Sequence, residues 1–293
     1  MIDEATIEQF YSDVPAATLE RFRAFLRSHA LQELDVEGIA VPYVDSGRGS
    51  RTLVGFCGGH STPYSAWQTI ESFERDYRIL VADISGFGTV AHLNRGIDRL
   101  LDSSGVDRVV LLGQSLAGLI SQIYFKQRSD RVDGMVLTNT LALKPGGDKP
   151  LVLMILRCFP ESLLRAMFKR KFRAYFDKGL EDPEARDACR FGLAHLDDVM
   201  TNHFTKKKVV HLMSVLMEFG REGYQRADFP DWQGKNLVMT SEDDAGFKDL
   251  EWLLENLPGA SSHVFPAGLG HLPQLVHRDK IERVIRDFLS QLP

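Results

Sequence analysis

The sequence predicts an α/β domain built on a doubly wound, mostly parallel sheet, with a helical segment inserted into it. Three observations carry this expectation. Short apolar runs rich in β-branched residues recur along the chain, and several lack polar alternation, as strands covered by helices on both faces do. Helical patterns lie between these runs. One long stretch has no strand pattern at all, and strand and helix patterns resume after it.

In chain order, Pro15 to Ala30 reads as an amphipathic helix, with Leu19, Phe22, Phe25 and Leu26 at helical spacing and arginines on the other face. The strand-sized runs are Gly38 to Val44, Thr52 to Cys57, Ile79 to Ala82, Val109 to Leu112, Met135 to Leu137 and Leu237 to Met239, each bounded by turn residues. Leu116 to Phe125 is one of the helices between them. From Leu141 to about Phe229 the pattern is helical, with Pro145-Gly146-Gly147 at its entrance, which reads as an inserted cap. The expected division is a core of residues 1–140 and 230–293 and a cap of residues 141–229. A last amphipathic helix covers Lys280 to Leu289.

Bulk properties narrow the function. A hydrophobic fraction of 44% with 26% charged residues is that of a compact globular protein. A net charge of -5 argues against a nucleic-acid binder, which needs a basic surface, and favours a small-molecule substrate. The three cysteines, Cys57, Cys158 and Cys189, form neither a disulfide framework nor a Cys-rich metal site. No His-Glu-x-x-His motif and no glycine-rich nucleotide fingerprint is present, so neither metal nor cofactor is expected. The acidic start Met1-Ile2-Asp3-Glu4 lacks the features of a secretory signal, and no apolar run approaches the roughly 20 residues of a membrane span. A cytoplasmic protein without an integral membrane segment is therefore expected.

The most informative segment is Val109-Val110-Leu111-Leu112-Gly113-Gln114-Ser115-Leu116-Ala117-Gly118, a buried-type strand running through small residues into a helix. It resembles the nucleophile elbow of the α/β-hydrolases, where a serine occupies a strained strand-to-helix turn and its neighbours two before and two after must be small. Gly113 and Ala117 meet that need, with Gly118 following; the family usually has glycine at the position of Ala117. The resemblance implies an α/β-hydrolase fold with Ser115 as nucleophile. A serine hydroxyl needs a base, and of nine histidines His271, in Gly268-Leu269-Gly270-His271-Leu272-Pro273, stands where the family places it. The triad acid is expected after Leu237 to Met239, in Glu242-Asp243-Asp244. Asp244 matches the family best, with Glu242 and Asp243 close enough to compete.

The same resemblance implies an oxyanion hole from the backbone N–H of Leu116 and of Gly59, in Cys57-Gly58-Gly59-His60, where Cys57 replaces the family's usual histidine. His60 and Gln114 are candidate substrate contacts. Asp83, in Asp83-Ile84-Ser85-Gly86-Phe87-Gly88, resembles a turn that is structural in the family. The activity expected is hydrolysis of carboxylic esters or thioesters of small to medium apolar substrates through an acyl-enzyme. Carbon–carbon bond hydrolysis, or a lyase or cyclase step, on the same triad is the alternative. A fainter similarity to maspardin-like proteins, in the Asp83 to Ser115 interval and at Met135 to Thr140, leaves a non-catalytic binding or adaptor role as a third reading. In the cap, Leu151 to Leu156 with Phe159, Leu163, Leu164, Met167 and Phe168 form an apolar stripe expected to be buried, against the sheet domain or over Ser115. The basic residues Arg165, Lys169, Arg170, Lys171 and Arg173 that follow also suit weak contact with an anionic membrane surface.

Overall fold

The computed structural model describes residues 2–58, 61–147, 150–268, 270–275 and 277–292. Two helices lead in, α1 (Glu4–Phe10) and α2 (Ala16–Ser28). α2 is the expected amphipathic helix and turns Phe22 and Phe25 inward. β1 (Gln32–Val36) and β2 (Ile39–Asp45) form an antiparallel hairpin closed at Glu37 and Gly38, whose φ values of 55° and 80° are those a two-residue turn between right-twisted strands requires. α1 and β1 were not expected from the sequence. The first is only seven residues long, and the second, Gln-Glu-Leu-Asp-Val, is a largely exposed edge strand with no apolar run to announce it.

The chain continues through β3 (Thr52–Phe56), α3 (Trp67–Phe73), β4 (Arg78–Ala82), α4 (Val90–Ser103), β5 (Val109–Gln114), α5 (Leu116–Gln127) and β6 (Val132–Thr138). Four helices follow, α6 (Pro150–Cys158), α7 (Glu161–Gly179), α8 (Arg186–Asn202) and α9 (Lys206–Glu222), before β7 (Lys235–Ser241), α10 (Leu250–Asn256), β8 (Ala260–Phe265) and α11 (Arg278–Leu289). The eight strands form one sheet in the order β1-β2-β4-β3-β5-β6-β7-β8, antiparallel at β1/β2 and β2/β4 and parallel elsewhere. Because β3 lies between β4 and β5, the winding reverses there, and the crevice beyond the carboxyl ends of β3 and β5 is where an open parallel sheet binds ligands.

Period-two alternation divides the strand side chains between two apolar layers. Val54, Leu111 and Val238 face α4, α5 and α10. Leu53, Val110 and Leu237 face α1, α2, α3 and α11, where Phe22, Trp67, Ile70, Ile285 and Phe288 are buried. Both faces are covered, which is why these strands read as near-continuous apolar runs.

The helices between β6 and β7 do not pack as one layer. α9 gives Leu212, Val215 and Phe219 to the first apolar layer, while α8 gives Phe191 and Ala194 to the second, against Tyr11 and Phe22 of the leading segment. A third cluster, Leu164, Leu196, Met200, Phe204 and Val209, joins α7, α8 and α9. The expectation that the α6–α7 stripe would be buried is corrected: Leu164 is buried and Phe168 packs beside it, but Leu151, Val152, Met154, Ile155, Leu163 and Met167 are exposed. α6 is apolar around most of its circumference and packs against α9 along one side, so among the described residues its other face is left exposed. Among the described residues no helix is long and apolar enough to cross a membrane.

Candidate active site

β5 delivers Ser115 to the crevice. The serine caps α5 with φ 53° and ψ -120°, a left-handed backbone for a non-glycine residue that stores about 1–3 kcal/mol of strain. Three contacts hold it there. Its N–H donates to Thr138 O at 3.0 Å, its carbonyl accepts the Thr140 hydroxyl at 2.7 Å, and α5 folds tightly onto β5. The tightness is visible at Gly113, where a Cβ would stand 2.6 Å from Gly118 Cα and 2.7 Å from Ser121 Oγ. The second close approach falls at Gly118, whose Cβ would meet Thr140 at 2.7 Å, one residue beyond the Ala117 position named by the motif. The Ser115 side chain makes no cap hydrogen bond to α5 and borders open cavity space.

His271 comes from the loop between β8 and α11. Its Nε2 lies 2.9 Å from Ser115 Oγ and its Nδ1 lies 2.6 Å from Asp244 Oδ2. Burial alone would push the Asp244 carboxyl up, but hydrogen bonds from His271 and from the Gly246 and Ala245 N–H groups outweigh it and hold the group below its ordinary value. A carboxylate so placed keeps a proton on Nδ1 and leaves Nε2 free to accept one from Ser115. Tyr175 of α7 lies over the imidazole, ring centroids 4.8 Å apart.

The three consecutive acids after β7 divide the work. Glu242 accepts the Ala267 N–H at 3.1 Å, and Asp243 accepts Gly268 N–H at 3.1 Å and Gly270 N–H at 3.0 Å. Both hold the backbone of the histidine loop, and Asp244 alone holds the imidazole. Asn139, with φ 44° at the end of β6, ties the same loop to β7: its amide donates to Gly270 O at 2.9 Å and its Oδ1 accepts Ser241 N–H at 3.0 Å. The sequence carries a weak local signal for Asn139, since asparagine just past a strand end is among the residues that best tolerate a left-handed backbone. Tyr175, in the middle of a helix, carries no such local signal.

The remaining expected positions fall differently. The Leu116 N–H is in the first turn of α5, where amides have no intrahelical acceptor. Gly59 and His60 lie outside the described residues. Gln114 borders a cavity, but its amide is engaged in a reciprocal pair with Gln274 at 3.1 and 3.0 Å and donates to His271 O at 3.3 Å, so it braces the histidine loop. Asp83 is buried in an ion pair with Lys208 at 2.8 Å, pinning α9 to the exit of β4.

Two cavities meet at Ser115 and His271. One, of about 650 Å³, runs under α7 and α9 past Leu119, Phe168, Phe172 and Met213. The other, of about 390 Å³, runs toward α3 and α8 past Trp67, Phe176, Phe191 and Val199. Both walls are mainly apolar, as small-molecule sites are. No group of His, Cys, Asp and Glu side chains suited to a metal occurs among the described residues.

A family model for the α/β-hydrolase fold matches residues 53–276. The chain belongs to the α/β-hydrolase family. It is 24% identical over 292 residues to a 2-hydroxy-6-oxononadienedioate/2-hydroxy-6-oxononatrienedioate hydrolase of Dechloromonas aromatica, covering 89% of this chain and 93% of that one. Among solved structures, an esterase from a Rhodococcus species superposes with a TM-score of 0.67 at 18% identity, over 91% of this chain and all of that one. An enol-lactonase from Burkholderia xenovorans gives a TM-score of 0.65 at 19% identity, over 89% of this chain and 100% of its own. This α/β-hydrolase is thus an enzyme, a hydrolase, which sets aside the adaptor reading.

Proposed function

We propose that this hydrolase cleaves carboxylic esters or thioesters of small to medium apolar substrates through an acyl-enzyme on Ser115. The observation that carries the reading is the unbroken chain Ser115 Oγ, His271 Nε2, His271 Nδ1, Asp244 Oδ2 at 2.9 and 2.6 Å, set on a strained turn where two apolar cavities meet. Ser115 Oγ attacks the acyl carbon as its proton passes to His271 Nε2, and Asp244 stabilises the resulting imidazolium. The oxyanion is received by the Leu116 N–H, and the expected second donor, Gly59, lies outside the described residues. His271 then protonates the departing alcohol or thiol. Water enters, gives its proton to His271 and attacks the acyl carbon, and collapse returns the proton to Ser115 Oγ and releases the acid.

A fluorophosphonate probe should label wild type at Ser115 and leave Ser115→Ala unlabelled; no labelling of folded wild type would overturn the reading. In a series of aryl esters, kcat/KM should rise from acetate to about hexanoate, each buried CH₂ adding up to about 0.8 kcal/mol. A decline from acetate onward would rule out the apolar acyl cavity.

Carbon–carbon hydrolysis on the same residues is the second reading, and one observation favours it. Arg278 borders the cavity beside Ser115, burial pulls its guanidinium below the ordinary value, and its hydrogen-bond partner is Gln68 Oε1 with no carboxylate at ion-pair distance among the described residues. A half-buried guanidinium held by a neutral amide, with Glu282 and Glu71 acting on it only from beyond ion-pair distance, suits an anionic substrate, and the Dechloromonas relative is named for a dioate. Turnover of 2-hydroxy-6-oxo dienoates faster than of aryl esters, and its loss in Arg278→Gln, would establish this reading. The exposed apolar face of α6, beside the basic residues of α7, supports weak contact with an anionic membrane surface, which sedimentation with anionic and neutral liposomes checks.

A further inference from the structure

A second serine–histidine pair borders the same cavity. Ser65, in the 3-10 turn Pro63–Ala66 before α3, has its Oγ 2.8 Å from Nε2 of His195 on α8. His195 Nδ1 lies 2.7 Å from the Tyr11 hydroxyl, which in turn lies 3.1 Å from Asp198 Oδ2. Asn202 donates to the other Asp198 oxygen at 2.8 Å. Tyr11 and Asp198 have no exposed surface, His195 is 8% exposed, and Ser65 is open. Ser65 and His195 border the cavity that contains Ser115 and His271.

The direction of every proton in this chain follows from its buried end. At that end the Tyr11 hydroxyl donates to Asp198 Oδ2. Having one proton, Tyr11 must then accept from His195 Nδ1–H. That fixes the tautomer and leaves Nε2 as an acceptor, which Ser65 Oγ–H must satisfy. Ser65 Oγ also accepts the Thr62 N–H at 3.0 Å. What remains facing the cavity is a lone pair on a hydroxyl whose only proton is committed inward. Burial holds His195 down to about 4 and pushes the Tyr11 phenol up, so neither group changes its proton count near neutrality.

We propose that Ser65 is an acceptor-only anchor in the substrate cavity, selecting substrates that carry a hydrogen-bond donor, a hydroxyl or N–H, on the part of the molecule lodged between α3 and α8. Tyr11, His195 and Asp198 are positioning residues that set its polarity. The proposal rests on this cavity being the substrate site of Ser115, and it brings the leading helical segment, which lies before the family-matched residues, into substrate selection.

The test compares p-nitrophenyl esters of phenylacetic, hydroxyphenylacetic and methoxyphenylacetic acid, substituted at the meta and para positions. The hydroxyl can donate, whereas the methoxy group only accepts. At the better ring position, wild type should favour hydroxyl over methoxy by about tenfold in kcat/KM, expressed mainly in KM. Ser65→Ala should bring that ratio to about one. Tyr11→Phe frees the imidazole to take either tautomer, so the ratio should fall there too, with methoxy gaining; a merely structural loss would lower all three esters together. The same ratios read calorimetrically from the free acids need no turnover, so a failure of Ser115 as nucleophile does not mask the result. A ratio near one in wild type, or one unchanged in both variants, would overturn the proposal.

Discussion

Ser115 with His271 and Ser65 with His195 have nearly the same pairwise geometry, Oγ to Nε2 at 2.9 and 2.8 Å, yet they are suited to opposite tasks. The difference lies behind the imidazole. At His271, Nδ1 meets a carboxylate directly at 2.6 Å, and the side chain, 16% exposed, stands on a loop held by backbone hydrogen bonds. An imidazolium formed there is stabilised at once. At His195 a neutral phenol intervenes before Asp198, and burial in an aromatic cluster with Phe22 and Phe191 disfavours a charge. The backbones differ as well: Ser115 sits at φ 53° immediately before the first turn of α5, while Ser65 lies within a short 3-10 turn. A serine and a histidine in contact do not by themselves make a nucleophile. The charge partner and the backbone donors decide.

The comparison breaks first at Ser115. Ser115→Ala should lower kcat by on the order of 10⁴ or more, whereas Ser65→Ala should cost far less; steady-state kinetics on the unsubstituted aryl ester separates the two, and similar losses in both would dissolve the distinction. Asp244→Asn should follow with a loss on the order of 10⁴, because the amide disturbs the tautomer that Ser115 needs. Asp243→Asn should cost only about tenfold: an amide has one acceptor oxygen for the two N–H groups of Gly268 and Gly270, so the loop loosens while the imidazole keeps its carboxylate. A reversed ranking of these two variants would move the acid to Asp243.

Smaller effects sharpen the structural half of the contrast. Gly118→Ala should destabilise the protein by about 1–3 kcal/mol in chemical denaturation, since its Cβ would press on Thr140, the residue that holds the Ser115 carbonyl. A neutral change would mean the elbow has slack. His195 contributes a pH signature. Its folded value is lowered from 6.5 to about 4 by burial, partly opposed by Asp198 and reinforced by His203. The unfolded chain therefore binds more protons between these values, and stability should decline as pH falls from 6.5 toward 4. His195→Asn should flatten that part of the denaturation profile, and an unchanged slope would show that other groups carry it.

The parts legible in the sequence are those whose signal is local. β3 to β7 are apolar on both faces because helices cover both, so their composition alone announces them. β1 carries no such signal, since its largely exposed edge position asks nothing apolar of it. Gly113-Gln114-Ser115 is legible because the strained turn admits few residue types. By contrast Glu242, Asp243 and Asp244 are chemically near-equivalent in one dimension. Only the path of the histidine loop assigns two of them to backbone amides and one to the imidazole. The apolar stripe on α6 and α7 misled for the same reason: periodicity shows that a face is apolar but not whether a neighbour covers it.

By itself, then, the sequence determined the α/β class, the family and the turn that presents Ser115, because each is written in consecutive residues through backbone propensity and burial. The tertiary structure decided which side chains meet. Ser115 reaches His271 across 156 positions, and Tyr11 reaches His195 across 184. Such encounters depend on strand order, on helix packing and on which face a side chain takes, and none of these is a property of a local window of sequence. The physical reason is that a hydrogen bond acts over about 3 Å of space, and only the folded chain turns distance along the sequence into distance in space.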